Sequence, residues 1–442
     1  MKINSHSKIA ILGFGVEGIA TYDYLISKNI TDITICDLNE KAEIPVGAKS
    51  ILGQNYLDSL ESFEIIFRSP GIKFFDQKIQ QAKNAGVEIT SATKFFFENC
   101  PCKIIGVSGT KGKGTTSTLI YEILKNAGRD VYLGGNIGDP AIIFLDKLTP
   151  DSLVVLELSS FQLQDLEMSP QISVLLNTTQ DHLDYHQDRE EYLEAKSSLV
   201  RFQTKDDLAI FNSDYEYNER YAKLTPAEIK FVSSQTKTNG AYQQAGKIYV
   251  GNAEIVSISE IGLLGKHNWE NVMPAILVAQ RLGVDQQIIH SSITNFKGLP
   301  HRLELIREID QVKFYNDSFS TNPETSIAGV KSFSVPLVLI AGGYDKGLDY
   351  TLWAQEISQS QNLKAVCLIG NLADKMNELL KNNSTLKIIK CSTLGEAVEK
   401  GYQELSDTGG VILLSPAAAS FDMFKNYKDR GYKFIEAVSD LK

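Results

Sequence analysis

Between an apolar strand and a helix, residues 103–119 read KIIGVSGTKGKGTTSTL, a spacing of glycines, lysine and threonines suited to holding a triphosphate. Gly109, Gly112 and Gly114 permit a tight turn that aims backbone N–H groups inward. With Thr110, Lys111 and the start of the helix they form an anion nest. Lys113 adds a mobile positive charge for a β- or γ-phosphate, and Thr115 or Thr116 supplies a hydroxyl for magnesium. The run departs from the strict P-loop: five residues rather than four separate Gly106 from Gly112, and Gly114 intervenes between Lys113 and the threonines. ATP with magnesium is the expected cofactor.

A metal serving ATP needs oxygen ligands, which in open sheets sit at strand ends beside the phosphate loop. Glu157 ends SLVVLEL there, and His182, in NTTQDHLD, follows the next strand. The plain alternatives are a capping carboxylate and a satisfied loop histidine. Lys196, in REEYLEAKSSL, reads on local pattern as a surface lysine pairing with Glu191 or Glu194. Further along, Arg302 could clamp a phosphate and Asp317 could accept from a ribose or base, or the two could form an interdomain ion pair. Lys346, in AGGYDKG, stands at a ligand-facing strand edge.

The elements that must position these residues are read from apolar runs. KIAIL over 8–12 is a buried strand, followed by Gly13, Gly15 and Gly18 in GFGVEG, a helix to about 28 and a strand ending at Asp37. That is a dinucleotide-type fingerprint, which alone argues for NAD, although the same turn accepts any pyrophosphate. Strands FEIIFRS and GVEITS enclose the turn SPGI, which begins at Ser69. From 103 onward RDVYL, SLVVLEL, ISVLLN and DLAIFN alternate with helices, as a doubly wound parallel sheet requires. Short β-type runs over 230–265 predict a small antiparallel insertion, and a helix begins near Asn268. VKFYND, VPLVLIAGG, AVCLIG and GGVILLSP return to α/β alternation. The expected architecture is α/β in three domains: a Rossmann-like 1–99, a central P-loop-type ATPase over 100–297 with a mostly parallel sheet, and a Rossmann-like 298–442.

A chain of 442 residues is too long for one core. Its net charge is −10, from 44 basic and 54 acidic residues, and no basic run stands out, so nucleic acid is not an expected partner. The start is polar and no apolar stretch approaches the roughly 18 residues of a membrane helix, so a cytoplasmic monomer without membrane insertion is expected. Five scattered cysteines lack metal spacing, and Cys100-Pro-Cys102 reads as two reduced thiols.

Taken together and in order, GFGVEG, SPGI, GTKGKGTT, GGNIG, ELSSFQL, DHLD, EAK, GKHNWEN, GLPHRLE, NDSFSTN, GGYDKG and LLSPAAASFDMFKNYKDRG span the chain. The sequence resembles the Mur ligase family, and within it the members that add D-glutamate to UDP-N-acetylmuramoyl-L-alanine. The resemblance implies that the first domain, through Gly13, Gly15, Gly18 and Ser69, holds a uridine diphosphate instead of NAD. It makes Lys113 and the threonines the triphosphate loop, and Glu157 and His182 ligands of magnesium, two ions being expected. Lys196 resembles the family's carbamylated lysine, which reverses its reading as a surface residue. Asn136 resembles a contact to the muramoyl-alanine part; Asn268, Asn271, Arg302 and Asp317 resemble nucleotide-side contacts. Thr321, Lys346, Ser420 and Tyr427 lie where the family binds the incoming glutamate.

Some positions differ from the family's pattern. The glycine after Lys113 is the form associated with folylpolyglutamate synthases, Phe319 stands where a lysine is usual, and Tyr427 replaces a phenylalanine. Leu38 and Asn39 do not match the usual uracil-side residues. A folylpolyglutamate synthase would lack the GFGVEG domain, and an NAD-dependent oxidoreductase leaves the phosphate loop, Glu157 and Lys346 without a use.

Overall fold

The structure is a computed structural model describing residues 3–178, 188–263, 265–381 and 386–441, apart from the side chain of Lys266. His182, a predicted metal ligand, lies outside the described residues.

Runs of β-branched and aliphatic residues buried on both faces become the parallel strands of three sheets. The first sheet holds β1 (Ile9–Leu12), β2 (Ile33–Asp37), β3 (Lys49–Leu52), β4 (Ile65–Arg68) and β5 (Glu88–Thr90), all parallel in the order β3-β2-β1-β4-β5. The strand order reverses between β1 and β4, so their carboxyl ends, which carry GFGVEG and SPGI, flank the crevice where such sheets bind ligands.

The second sheet contains β6 (Lys103–Ser108), β7 (Val131–Gly135), β8 (Leu153–Glu157), β9 (Ile172–Leu175), β10 (Leu208–Asn212), β11 (Glu228–Ser233), β12 (Ala241–Gln244), β13 (Lys247–Val250) and β14 (Ala253–Ser257). Its order is β14-β13-β12-β11-β10-β9-β6-β8-β7. The predicted antiparallel insertion is therefore a continuation of this sheet: β12 pairs in parallel with β11, and only the β12–β13 and β13–β14 pairings are antiparallel.

The third sheet, in the order β15-β16-β20-β17-β18-β19, comprises β15 (Glu304–Ile309), β16 (Val312–Asn316), β17 (Leu337–Gly342), β18 (Leu363–Ile369), β19 (Lys387–Lys390) and β20 (Gly410–Leu414). Only the β15–β16 pairing is antiparallel. Two compact units result: Met1–Ile261 with Lys266–Asn295, which holds the first two sheets, and Gly262–Gly265 with Phe296–Lys442. All five cysteines are free thiols, and the sulfurs of Cys100 and Cys102 lie 3.6 Å apart. Among the described residues, no helix is long and apolar enough to cross a membrane.

Candidate functional site

In the first unit the glycine turn after β1 is fixed by backbone chemistry. Gly13 has φ +84°, and a Cβ there would come within 3.1 Å of Ser69 Cβ, while a Cβ on Gly18 would lie 2.1 Å from the Gly13 carbonyl oxygen. Ser69 Oγ donates to that same carbonyl at 2.8 Å, tying SPGI to the turn. Asp37, the acidic residue of the fingerprint, accepts from Phe14 N–H at 2.6 Å and Asn39 N–H at 2.7 Å, so its carboxylate shapes the turn.

The phosphate loop leaves β6, which is flanked by β8 and β9, and enters the helix Lys113–Asn126. Gly112 sits at φ +87°, where a Cβ would be 2.1 Å from Asn271 Oδ1. Asn271 thereby closes on the loop, and its own amide donates to Asn268 Oδ1 at 3.0 Å. Thr110 N–H and Lys111 N–H donate to the carbonyl and side chain of Asn177, both at 2.8 Å. Lys113 Nζ arches over the loop, donating to the carbonyls of Gly109 at 3.0 Å and Thr110 at 3.1 Å. Thr115 and Thr116 are both buried, and Thr116 donates its hydroxyl to the Asn271 carbonyl at 3.1 Å.

Glu157 ends β8 one strand over, and β6 pairs Val107 with it. It is buried, and Oε1 accepts from Asn136 Nδ2 at 2.7 Å. The structure corrects the surface reading of Lys196. Its side chain is 1% exposed, and Nζ donates to Ser108 Oγ at 3.1 Å and the Gly109 carbonyl at 3.3 Å. Nζ also lies 4.9 Å from the centre of the Tyr192 ring, whose hydroxyl meets Thr110 Oγ1 at 2.9 Å. The phosphate loop, Glu157, Asn136, Lys196, Asn268 and Asn271 thus form one connected site. As a test of fit for magnesium, Glu157 and Thr115 supply hard oxygen donors, although among the described residues no group of three or more His, Cys, Asp or Glu that could hold a metal ion is found, here or elsewhere.

In the second unit the carboxyl ends of β16, β17 and β20 carry the predicted residues. Asp317 is buried; its Oδ2 accepts from Ser320 at 2.5 Å and Ser415 at 2.7 Å, and Oδ1 from Leu303 N–H at 3.3 Å. Arg302 lays its guanidinium 4.3 Å from the centre of the Phe319 ring, so a cation stands beside the position where a lysine was expected. Phe319 packs edge-on against Tyr427 at 5.1 Å. Lys346 is exposed, its Nζ 5.6 Å from the Phe421 ring centre; Ser420 is buried, and Thr321 is half-buried just before the helix Pro323–Lys331.

Sequence reasoning missed Arg430, which is fully buried. Its guanidinium donates to Ser318 Oγ at 3.0 Å, the Ser318 carbonyl at 2.9 Å and the Ala418 carbonyl at 3.0 Å, joining the loops after β16 and β20. The run KNYKDRG was the signal, and it gave no partner because Ser318 lies 112 residues off in the chain.

Burial pushes the Asp317 carboxyl up from 3.8 to about 6, against the pull of its hydroxyl and backbone hydrogen bonds and of Arg302. The folded chain holds that proton more tightly than the unfolded one. The associated stability is full below pH 3.8 and is lost as pH rises through about 6. On the expected contact of Asp317 with a nucleotide hydroxyl, the carboxylate form is the better acceptor, so the KM for ATP should climb as pH falls below about 6, and Asp317→Asn should flatten that climb. Initial rates measured across this range at varied ATP give the answer; an equally steep climb in the variant would discard the assignment.

The model of the Mur ligase middle domain matches residues 107–279, and that of the Mur ligase MurD-like N-terminal domain matches residues 7–91. The chain is similar to proteins named UDP-N-acetylmuramoylalanine–D-glutamate ligase from two organisms. That of Acetivibrio thermocellus is 37% identical over 99% of this chain and 97% of its own length. That of Clostridium kluyveri is 37% identical over 98% and 97%. Among solved structures, the fold is similar to UDP-N-acetylmuramate-alanine ligase MurC from Thermotoga maritima, with TM-score 0.60 and 16% identity over 99% of this chain and 100% of that one. It is also similar to MurF from Acinetobacter baumannii, with TM-score 0.62 and 15% identity over 98% and 92%.

Proposed function

Because the chain belongs to the Mur ligase family, we propose that it uses ATP to join D-glutamate to UDP-N-acetylmuramoyl-L-alanine, an amide-forming step of peptidoglycan precursor synthesis. The observation that carries this reading is the convergence of Lys113, buried Glu157 and buried Lys196 on one glycine loop.

A carboxylate cannot acylate an amine at neutral pH, because the group that would leave is an oxide. An oxygen of the alanyl carboxylate attacks the γ-phosphorus, releasing ADP and forming an acyl phosphate. The D-glutamate amine then attacks the acyl carbon; the tetrahedral intermediate expels inorganic phosphate, and the amine proton passes to a base. Lys113, freed from the loop carbonyls, follows the charge on the transferring oxygens, and the backbone N–H groups of 109–116 hold the remainder. Thr115, Glu157, His182 and a carbamylated Lys196 would hold magnesium, which would supply positive charge against the phosphates. Asn136, which holds Glu157, also faces the muramoyl-alanine part of the substrate.

The division of labour follows the three sheets. Residues 1–99 bind the uridine diphosphate at Gly13, Gly15, Gly18 and Ser69, and residues 100–297 bind ATP. Residues 298–442 receive D-glutamate at Thr321, Lys346, Ser420 and Tyr427, with Lys346 meeting a carboxylate. Asn268, Asn271, Arg302 and Asp317 serve the nucleotide. The enzyme acts as a cytoplasmic monomer.

Phosphate release from ATP by the purified chain tests this. Release with UDP-N-acetylmuramoyl-L-alanine plus D-glutamate, and none with folate plus L-glutamate, is the expected result. The opposite pattern, or reduction of NAD without ATP turnover, would overturn it.

A further inference from the structure

Arg68 ends β4 and is 1% exposed, and its guanidinium is shared between two ligand-facing segments. Nη1 donates to the carbonyl of Ile72, in the SPGI turn, at 2.7 Å. Nη2 donates to Asp165 Oδ2 at 3.0 Å and to the Phe161 carbonyl at 3.3 Å, across to the segment that follows Glu157. A second link runs beside it. Glu17, in the first turn of the helix Val16–Ser27 that the glycine turn opens, accepts from Gln162 Nε2 at 2.7 Å. The other end of Gln162 accepts from Ser159 N–H at 3.0 Å, two residues beyond Glu157. Both ligand turns of the first sheet therefore reach the short helix Ser160–Leu163, next to the carboxylate of the ATP site.

This arrangement is a poor source of stability. Removing an ion pair from water costs several kcal/mol per charge, and packed apolar side chains of similar volume serve at least as well. Here the cost is aggravated, because among the described residues Asp165 Oδ1 and Glu17 Oε2 are buried without a hydrogen-bond partner. Burial also pushes the Glu17 carboxyl above its ordinary range. What directional charged hydrogen bonds supply, and apolar packing does not, is fixed registration of two loops.

We propose that Arg68 and Asp165, seconded by Glu17 and Gln162, are positioning residues that couple occupation of the first-sheet turns to the geometry of Glu157. Ordering SPGI around a uridine diphosphate holds the guanidinium in place. The guanidinium in turn fixes helix Ser160–Leu163 and the end of β8. Coupling of this kind is reciprocal, so ATP bound at the loop tightens the uridine substrate by the same factor. The inference rests on the reading of the first sheet as the uridine diphosphate site.

Calorimetry on the full chain, measuring the Kd of UDP-N-acetylmuramoyl-L-alanine with and without a saturating non-hydrolysable ATP analogue and magnesium, tests it. The expected Kd ratio is roughly 10 in the unmodified protein and close to one in Asp165→Asn, with a partial loss in Gln162→Met, which cuts only the second link. A ratio of one in the unmodified protein overturns the proposal. So does an undiminished ratio in both variants, even with a lowered Tm, because a purely structural strap would give that pattern. If Asp165→Asn does not fold, the ratio in Gln162→Met decides. No binding of the uridine substrate to the unmodified protein would instead overturn the substrate assignment beneath the proposal.

Discussion

Alanine at position 113 is expected to lower kcat roughly a thousandfold, the scale seen when one preorganised charge is removed from a transition state. Lys113 spans its own loop, with Nζ on the carbonyls of Gly109 and Thr110, so the ammonium stands over the loop proposed to cradle the β- and γ-phosphates. Those two bonds contribute about 1 kcal/mol of net stability each, and Tm should fall by only a few degrees. Activity and stability thus separate, which identifies the loss as one of transition-state binding. Arginine at 113 should not restore the rate, because a planar fork cannot follow the phosphoryl oxygens as a compact ammonium does. Steady-state phosphate release and a thermal melt measure both quantities. A variant with more than a tenth of normal kcat would remove Lys113 from the chemistry.

What was legible in the chain was local, and what was not depended on distant partners. Glycines, lysine and threonines within 109–116 specify their turn among themselves, so the phosphate loop is readable without the fold. Lys196 is not: the hydrogen-bond partners that define it, Ser108 Oγ and the Gly109 carbonyl, lie 88 and 87 residues away. Arg68 and Asp165 are 97 residues apart, and Arg430 and Ser318 are 112 apart. Two edge strands escaped for another reason. β3 (KSIL) and β19 (KIIK) are too short and too exposed to show the continuous apolar run of a central strand. The stretch after β11 showed its β character but not its attachment, because a parallel pairing with a neighbouring strand leaves no periodic signature distinct from an isolated hairpin.

Alanine in place of Lys196 should also abolish measurable turnover, by on the order of a thousandfold, and the decisive comparison is with arginine. A lysine amine that is buried against Ser108 and Gly109, at the root of the phosphate loop, has two possible uses. As a cation it would draw phosphate oxygens directly; as a carbamate, formed when the neutral amine adds to carbon dioxide with loss of a proton, it would offer oxygens to magnesium beside Glu157. The two uses carry opposite charge. Arginine keeps the cation and cannot form the carbamate, so Lys196→Arg should be as inactive as Lys196→Ala if the carbamate is needed, and should retain much of the rate if the cation is needed. Depleting bicarbonate should slow the unmodified enzyme reversibly, and raising it should restore the rate. Phosphate release by both variants across a bicarbonate series, with circular dichroism to verify folding, measures this directly. A Lys196→Arg enzyme near full activity, or an unmodified enzyme indifferent to bicarbonate, would eliminate the carbamate and return Lys196 to the role of a buried cation.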